Sequence, residues 1–392
     1  MSLRILSCAM LMILAAATYA QQAAVTNTAL PAVKLDAAFS VPPYLQDLRT
    51  NQVTVMWRGV AGGYGWVEYG ETEALGKQAD TVFDGLRETG VQRHAVCLSG
   101  LKPGTRYWYR TGMRSATKYT KNWISFTPDV FSPVYSFTTP SAQEAKVRCI
   151  ILADTHNNAT FGPLLSLPGV EPYDFSLFNG DCFGDITSEA DALGLLRAYT
   201  GLVNGASRPA VFVRGNHELR SWYAPFLRHL FTTPEGHSSF AFTRGPARFV
   251  VLDCGEDKRD AHRSYGGLVD FSSMRVEVAR WLDREIASQE FRKARWHVLV
   301  VHIPLYGEAC SEHARPLYLP VLDKTKFDLE INGHIHVSRL LKPGAAGNPH
   351  PVVSVGGFCT AIGVFEATAA GWSFKVLDNT GKVLTITSSG ER

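Results

Sequence analysis

From residue 41 to 139, apolar and polar positions alternate in short runs, "QVTVMWRGV", "YGWVEYGE", "GTRYWYRTG" and "VYSFTTP", each interrupted by Gly or Pro. Period-two alternation predicts half-buried strands, and several such runs in succession predict a small antiparallel β-sandwich. A polar, Pro-containing stretch, "TTPSAQEAK" at 138–146, follows, and beyond it the pattern changes. Compact apolar runs in "RCIILADTH", "YDFSLFNGDC", "PAVFVRGNHE", "RFVVLDCG", "WHVLVVHIP" and "FDLEINGHIH" now alternate with longer stretches. Two of these, "EADALGLLRAYTGLV" and "MRVEVARWLDREIASQ", carry helical periodicity. Buried strands alternating with helices predict an α/β layered domain. The tail from Pro351, with "PVVSVGG", "AIGVFEA", "GWSFKVLD" and "GKVLTITS", predicts hairpin strands that close the sheet.

Within the first region, "LKPGTRYWYR" combines Leu101, a Pro-Gly turn and Tyr107 in the spacing of a tyrosine corner, where a phenol ties a crossing loop to a strand. With Trp57 in "VTVMWRG" it resembles a fibronectin type III domain. The expected organisation is therefore a sandwich over 40–139 and an α/β domain over 147–392.

The first twenty residues change the picture of where the chain works. "MSLR" is positive, "ILSCAMLMILAAA" is apolar, and "TYA" is a small-residue exit, the three parts of a cleaved export signal over 1–20. The apolar stretch is too short to span a bilayer, and no later run is longer. A secreted or periplasmic location is expected. Net charge is +3 with no dense Lys/Arg stripe, so no nucleic-acid track is expected. The six cysteines beyond the signal form no CxxC pair and are expected to be small buried hydrophobes, with at most a bridge or two.

Chemistry-bearing residues gather at the carboxyl ends of the expected strands: Asp154 and His156, Asp181, Asn216 and His217, His302, then His334 and His336. Ligands of open α/β sheets bind outside those ends, so residues distant in sequence converge there. In an extended segment residues i and i+2 point the same way, which lets His334 and His336 address one point or two neighbouring points. Taken singly, "DTH", "NGD" and "GNHE" are ordinary turn chemistry. Their order, each after a buried strand, is what carries the signal.

In that order the motifs over 147–340 resemble the calcineurin-like metallophosphoesterases, and the preceding sandwich is similar to the layout of purple acid phosphatases. The resemblance implies two metal ions between two β-sheets. Asp154, His156 and His336 would hold the first and Asn216, His302 and His334 the second, while Asp181 bridges both. His217 would face the substrate. Imidazole, carboxylate and amide oxygen suit Zn, Fe, Mn or Co rather than Ca. Two divalent ions less two carboxylates leave a net positive site that attracts a phosphate ester. Ions about 3.5 to 4 Å apart lower the pKa of a shared water, whose hydroxide would attack phosphorus directly. His217 would stabilise the phosphoryl oxygen or protonate the leaving alkoxide.

Two departures narrow the resemblance. Purple acid phosphatases are expected to carry D-x-G in the first motif and a tyrosine three residues after the bridging aspartate; here those places hold His156 and Gly184. A purple ferric centre is thus not expected. Protein phosphatases place an aspartate three residues after the bridging one, whereas Asp185 stands four residues on, either as a partner of His217 or as a helix cap before "ITSEA". Glu218 and Arg220 read as a local ion pair, "DCGEDK" from Asp253 as a solvated turn, and Tyr306 as pocket lining or core. The expected activity is phosphomonoester hydrolysis. The alternatives are phosphodiester hydrolysis on the same centre, or a non-catalytic protein whose sandwich holds a surface or polymer partner.

Overall fold

The computed structural model describes residues 38–141 and 143–390, so the expected export signal lies outside the described part. Nine strands build the amino-terminal region: β1 (Phe39–Gln46), β2 (Gln52–Gly70), β3 (Lys77–Asp80), β4 (Val91–Ser99), β5 (Arg106–Arg114), β6 (Ala116–Tyr119), β7 (Ile124–Phe126), β8 (Val130–Phe131) and β9 (Tyr135–Thr138). The runs "QVTVMWRGV" and "YGWVEYGE" are one strand rather than two. The first half of β2 pairs with β1 and β4, its second half with β3 and β5, and the register shifts between Arg58 and Gly63. Gly63 permits the shift, since a Cβ there would lie 2.3 Å from the Arg114 carbonyl oxygen. The two halves enclose a core that includes Val53, Val55, Trp57, Val67, Val96 and Tyr109. Tyr107 is 1% exposed and its hydroxyl accepts a hydrogen bond from the Lys102 N–H at 2.9 Å, so the corner read from "LKPGTRY" is formed.

The remainder is a layered α/β structure. One six-stranded sheet runs in the order β12 (Ala210–Val213), β11 (Phe175–Asn179), β10 (Lys146–Leu152), β19 (Ala361–Thr368), β20 (Trp372–Asp378), β21 (Val383–Ser388). The other runs β13 (Phe240–Arg244), β14 (Ala247–Leu252), β15 (Trp296–Val301), β16 (Leu329–Asn332), β18 (Val352–Ser354), β17 (Arg339–Leu341). In the first sheet β12, β11 and β10 are parallel and β19, β20 and β21 continue antiparallel; in the second β14, β15, β16 and β18 are parallel and the edge strands β13 and β17 antiparallel. Period two sorts each apolar run into two faces. Cys149 and Ile151 pack between the sheets with Phe249, Val298 and Val300. Ile150 and Leu152 face a layer holding Leu196 and Tyr199 of the helix Glu189–Leu202. Val250 and Leu299 face the helices Phe271–Ile286 and Arg315–Leu322. Strands covered on both sides read as continuous apolar runs for this reason. Each buried Val, Leu or Phe contributes about 1.5–3 kcal/mol.

Ser188 caps the helix Glu189–Leu202 by accepting from the Asp191 N–H, so Asp185 is not the cap. No helix among the described residues is long and apolar enough to cross a membrane. All six described cysteines are unpaired; three are buried, Cys310 and Cys359 partly so, and Cys97 is exposed.

The sandwich is seated on the α/β layers through specific bonds. Tyr44 Oη donates to the Leu230 carbonyl at 2.7 Å, Tyr109 Oη to Ala206 at 2.6 Å, and Gln46 Nε2 to Ala210 at 2.6 Å. Val41, Tyr44 and Met56 complete the apolar layer around the helix Glu189–Leu202.

Candidate metal centre

Each residue singled out at a strand end lies in the segment after β10, β11, β12, β15 or β16, and those segments meet at one edge of the two sheets. Donor atoms of Asp154, His156, Asp181 and His336 lie within 4.8 Å of one another, as do those of Asp181, His302 and His334. Asp181 is common to both groups. Asn216 joins the second through its Oδ1, 2.9 Å from His334 Nδ1. His156 Nε2 and His336 Nε2 face each other at 2.9 Å. Asp154, Asp181, Asn216 and His302 are buried, while His156, His334 and His336 are partly exposed.

The backbone at these positions is unusual. Asp154 (φ 50°), His156 (46°), Asp181 (52°), His334 (68°) and His336 (57°) all adopt left-handed conformations. Such conformations cost about 1–3 kcal/mol each and persist where the surroundings over-determine them. Here the surroundings are hydrogen bonds and glycine clearances. Both carboxylate oxygens of Asp154 accept from the His334 N–H, at 3.0 and 2.9 Å, and Asp181 Oδ1 accepts from the His217 N–H at 2.8 Å. Gly180 and Gly333 let the strands close: a Cβ on Gly180 would lie 2.3 Å from the His302 ring, and one on Gly333 2.5 Å from Asp154.

Electrostatically the cluster calls for positive charge. Burial opposes protonation of His302, yet Asp181 and Asp154 raise it to about 10. Burial also resists ionisation of Asp181, but the imidazoles of His302, His217 and His156 bring it well below the carboxylate range. Burial holds His156 and His334 neutral, at about 4. Neutral imidazoles and ionised carboxylates are the forms that bind metal. His302 supplies a direct test of fit. Its Nδ1 is 2.8 Å from the Asn179 carbonyl, which turns Nε2 toward the carboxylates, and Nε2 is buried without a hydrogen-bond partner. It stands 3.1 Å from Asp181 Oδ2. A metal ion would take the place of the proton that the two carboxylates draw to this nitrogen.

A model of the calcineurin-like phosphoesterases matches residues 147–338, and a model of the purple acid phosphatase N-terminal domain matches residues 40–139. Over 147–338 the chain is thus similar to the calcineurin-like phosphoesterases, and over 40–139 to the domain that precedes them in purple acid phosphatases. Purple acid phosphatase 1 of Ipomoea batatas is 25% identical over 149 residues, 33% of this chain and 28% of that protein. The Fe(3+)-Zn(2+) purple acid phosphatase 12 of Arabidopsis thaliana is 23% identical over 149 residues, 33% of this chain and 29% of that protein. The match thus spans less than a third of these curated relatives. Among solved structures, the purple acid phosphatase PPD1 from yellow lupin (Lupinus luteus) seeds superposes with a TM-score of 0.64 at 17% identity, over 88% of this chain and 73% of that one. PhoD superposes with a TM-score of 0.62 at 14% identity, over 91% and 94%. These two likenesses show the shared fold of an all-β domain before a metallophosphoesterase domain.

Several residues of this calcineurin-like site do something other than their sequence suggests. Glu218 is not an ion-pair partner of Arg220. It is 6% exposed and accepts four backbone N–H groups: Cys182 and Phe183 at Oε1 (2.6 and 2.7 Å), Asp181 and Gly215 at Oε2 (2.9 and 2.8 Å). Burial raises its pKa, with Asp181 adding to the rise and the backbone donors opposing it. Arg220 instead pairs with the fully buried Glu256 at 2.6 Å and places Nη1 3.0 Å from His217 Nε2. The "DCGEDK" turn therefore reaches the edge of the site. Asp185 lies 3.5 Å from His217 Nδ1. Burial lowers and Asp185 and Asp181 raise the His217 pKa, and the net direction is upward. Phe358, which nothing in the pattern singled out, stacks on His156 at 5.0 Å and meets the His336 ring edgewise at 4.7 Å. Gly184 lies against His217 and His156, where the purple enzymes are expected to carry tyrosine. Tyr306 is core, buried beside His350 away from the cluster.

Proposed function

We propose that this protein is an exported, binuclear metal-dependent hydrolase of phosphate monoesters. The observation that carries the reading is the pair of donor groups that share Asp181, with the buried, unpartnered Nε2 of His302 directed at them. Asp154, His156 and His336 would hold one ion, Asn216, His302 and His334 the other, and Asp181 both. Zn, Fe, Mn and Co suit this donor set. The ions supply, when bound, a water activated near neutral pH for direct attack on phosphorus, and neutralise charge on the phosphoryl oxygens.

The chain's own residues account for orientation and proton handling. Asn179 fixes the His302 tautomer through Nδ1. Glu218 gathers the N–H groups that hold the Asp181 loop in its left-handed turn. His217 and Arg220 stand side by side at the partly exposed edge, where the His217 and Arg220 side chains are 21% and 22% exposed. Held by Glu256 and Asp185, these two side chains present N–H donors to unesterified phosphoryl oxygens, of which a monoester has three and a diester two. His217, biased toward its protonated form by Asp185, is positioned to bind a phosphoryl oxygen or pass a proton to the departing alkoxide. The sandwich over 40–139 would then be a separate unit that seats beside the hydrolase unit 147–392 and offers a surface for a partner.

The test is hydrolysis of 4-nitrophenyl phosphate and bis(4-nitrophenyl) phosphate by the chain supplied with manganese or zinc, beside Asp181→Asn. The reading expects turnover of both in the parent, faster for the monoester, and near-complete loss of both in the variant. A faster diester rate would move the substrate class to phosphodiesters. No turnover above the variant with either metal would contradict hydrolysis.

A further inference from the structure

A cavity of about 510 Å³ lies beside the metal-centre residues and touches none of them. Its walls include Cys182 and Glu218 but not Asp154, Asp181, His217 or the ligand histidines. Volumes of about 300–1,000 Å³ are typical of small-molecule sites. The wall is aromatic and aliphatic: Phe183, Phe212, Leu227, Phe231 and Phe240 line it, with the Phe212 and Phe231 rings 4.2 Å apart and Phe183 5.5 Å from Phe231.

Its polar groups are lopsided in charge. The sole carboxylate among the lining residues is Glu218, whose oxygens are taken up by backbone N–H groups. Arg214 is committed to Asp253. Arg93 and Arg228 are exposed at the rim, and neither makes an ion pair with a carboxylate among the described residues. Both meet His229 instead. Arg93 Nη1 donates to its carbonyl at 3.2 Å, and Arg228 Nε to its Nε2 at 3.1 Å. His229 consequently stays below its ordinary pKa, through partial burial and then the two guanidiniums. Arg93 comes from β4 of the sandwich and every other wall residue from the α/β part, so the cavity straddles the junction of the two.

We propose that this cavity binds a small organic anion with an apolar body, at a site distinct from the metal centre. The aromatic wall takes the body, and Arg93 and Arg228, with donors left over and no acidic partner, take the head. A guanidinium pair suits a planar or tetrahedral oxyanion. An aryl or medium-chain carboxylate has the required shape. Inorganic phosphate has the head alone, and a neutral aromatic has the body alone.

The experiment titrates the full chain with 1-anilinonaphthalene-8-sulfonate, followed by fluorescence and by calorimetry for stoichiometry. Excess inorganic phosphate is present throughout to occupy any anion site at the metal centre. The proposal expects one saturable site per chain. Arg93→Gln with Arg228→Gln, both changes at the exposed rim, weakens it at least about tenfold, and the uncharged N-phenyl-1-naphthylamine binds at least about tenfold more weakly than the sulfonate. Leu227→Trp, which fills the cavity, removes binding; the rim variant keeps the test decisive if that chain does not fold. Unchanged affinity in the rim variant, or equal affinity for the neutral analogue, would each overturn the proposal.

Discussion

Glu218 illustrates what one buried carboxylate does for the Asp181 loop. Replacing it with Gln keeps the size but turns an amide NH2 toward N–H donors that need an acceptor, at about 1–3 kcal/mol for each donor left unpaired. Glu218→Gln should therefore lower the melting temperature and weaken metal retention together; a variant that melts and holds metal like the parent would contradict this role. His217 makes a different prediction. Its ring is no ligand in the proposed set, so His217→Asn should cut turnover about 10²-fold or more while leaving metal content unchanged, as measured by elemental analysis. Loss of metal would make it a ligand instead. The strand-end residues were legible in sequence because the fold fixes where strand ends go. Glu218, Phe358 and the left-handed turns were not, because their roles depend on the backbone direction of other segments. Nothing in "GNHE" tells that the Glu carboxylate points away from Arg220 and into the loop of Asp181.

At the scale of elements, β16 carries a testable charge. Glu330 is fully buried and burial raises its pKa to about 7; its Oε1 accepts from the Leu305 N–H and Asn332 Nδ2 while Oε2 has no partner. The folded chain holds this proton where the unfolded chain, with an ordinary Glu near 4.5, has released it. Stability from this group is therefore full below about pH 4.5, declines as pH rises, and is spent above about pH 7. The span corresponds to on the order of 3 kcal/mol at most. Glu330→Gln should remove that dependence, so denaturant melts at pH 5 and pH 8 should differ less for the variant than for the parent. An identical pH dependence would contradict a neutral Glu330. Most elements could be read from periodicity alone, since apolar runs set between helical stretches had to be covered on both faces. The continuous β2 could not. Its turn-like "AGGYG" reads as a break, and only the pairing of each half with different strands shows that the chain passes through without stopping.

Across the whole molecule, the change of pattern after residue 138 made the succession of a sandwich and an α/β region visible in the sequence. The way they join was not visible, because it rests on side-chain hydroxyls reaching carbonyls in loops, Tyr44 to Leu230 and Tyr109 to Ala206. Tyr44→Phe and Tyr109→Phe should each cost about 1 kcal/mol in denaturant melts. Both changes leave the donor groups around Asp181 untouched. The account stands or falls on those groups holding two ions. The most direct measurement is metal content per chain, by elemental analysis after loading with zinc and gel filtration, for the parent and for Asp181→Asn. Two ions per chain in the parent, and fewer in the variant, are predicted. One ion or none in the parent, or two retained without Asp181, would contradict a centre built on a shared carboxylate.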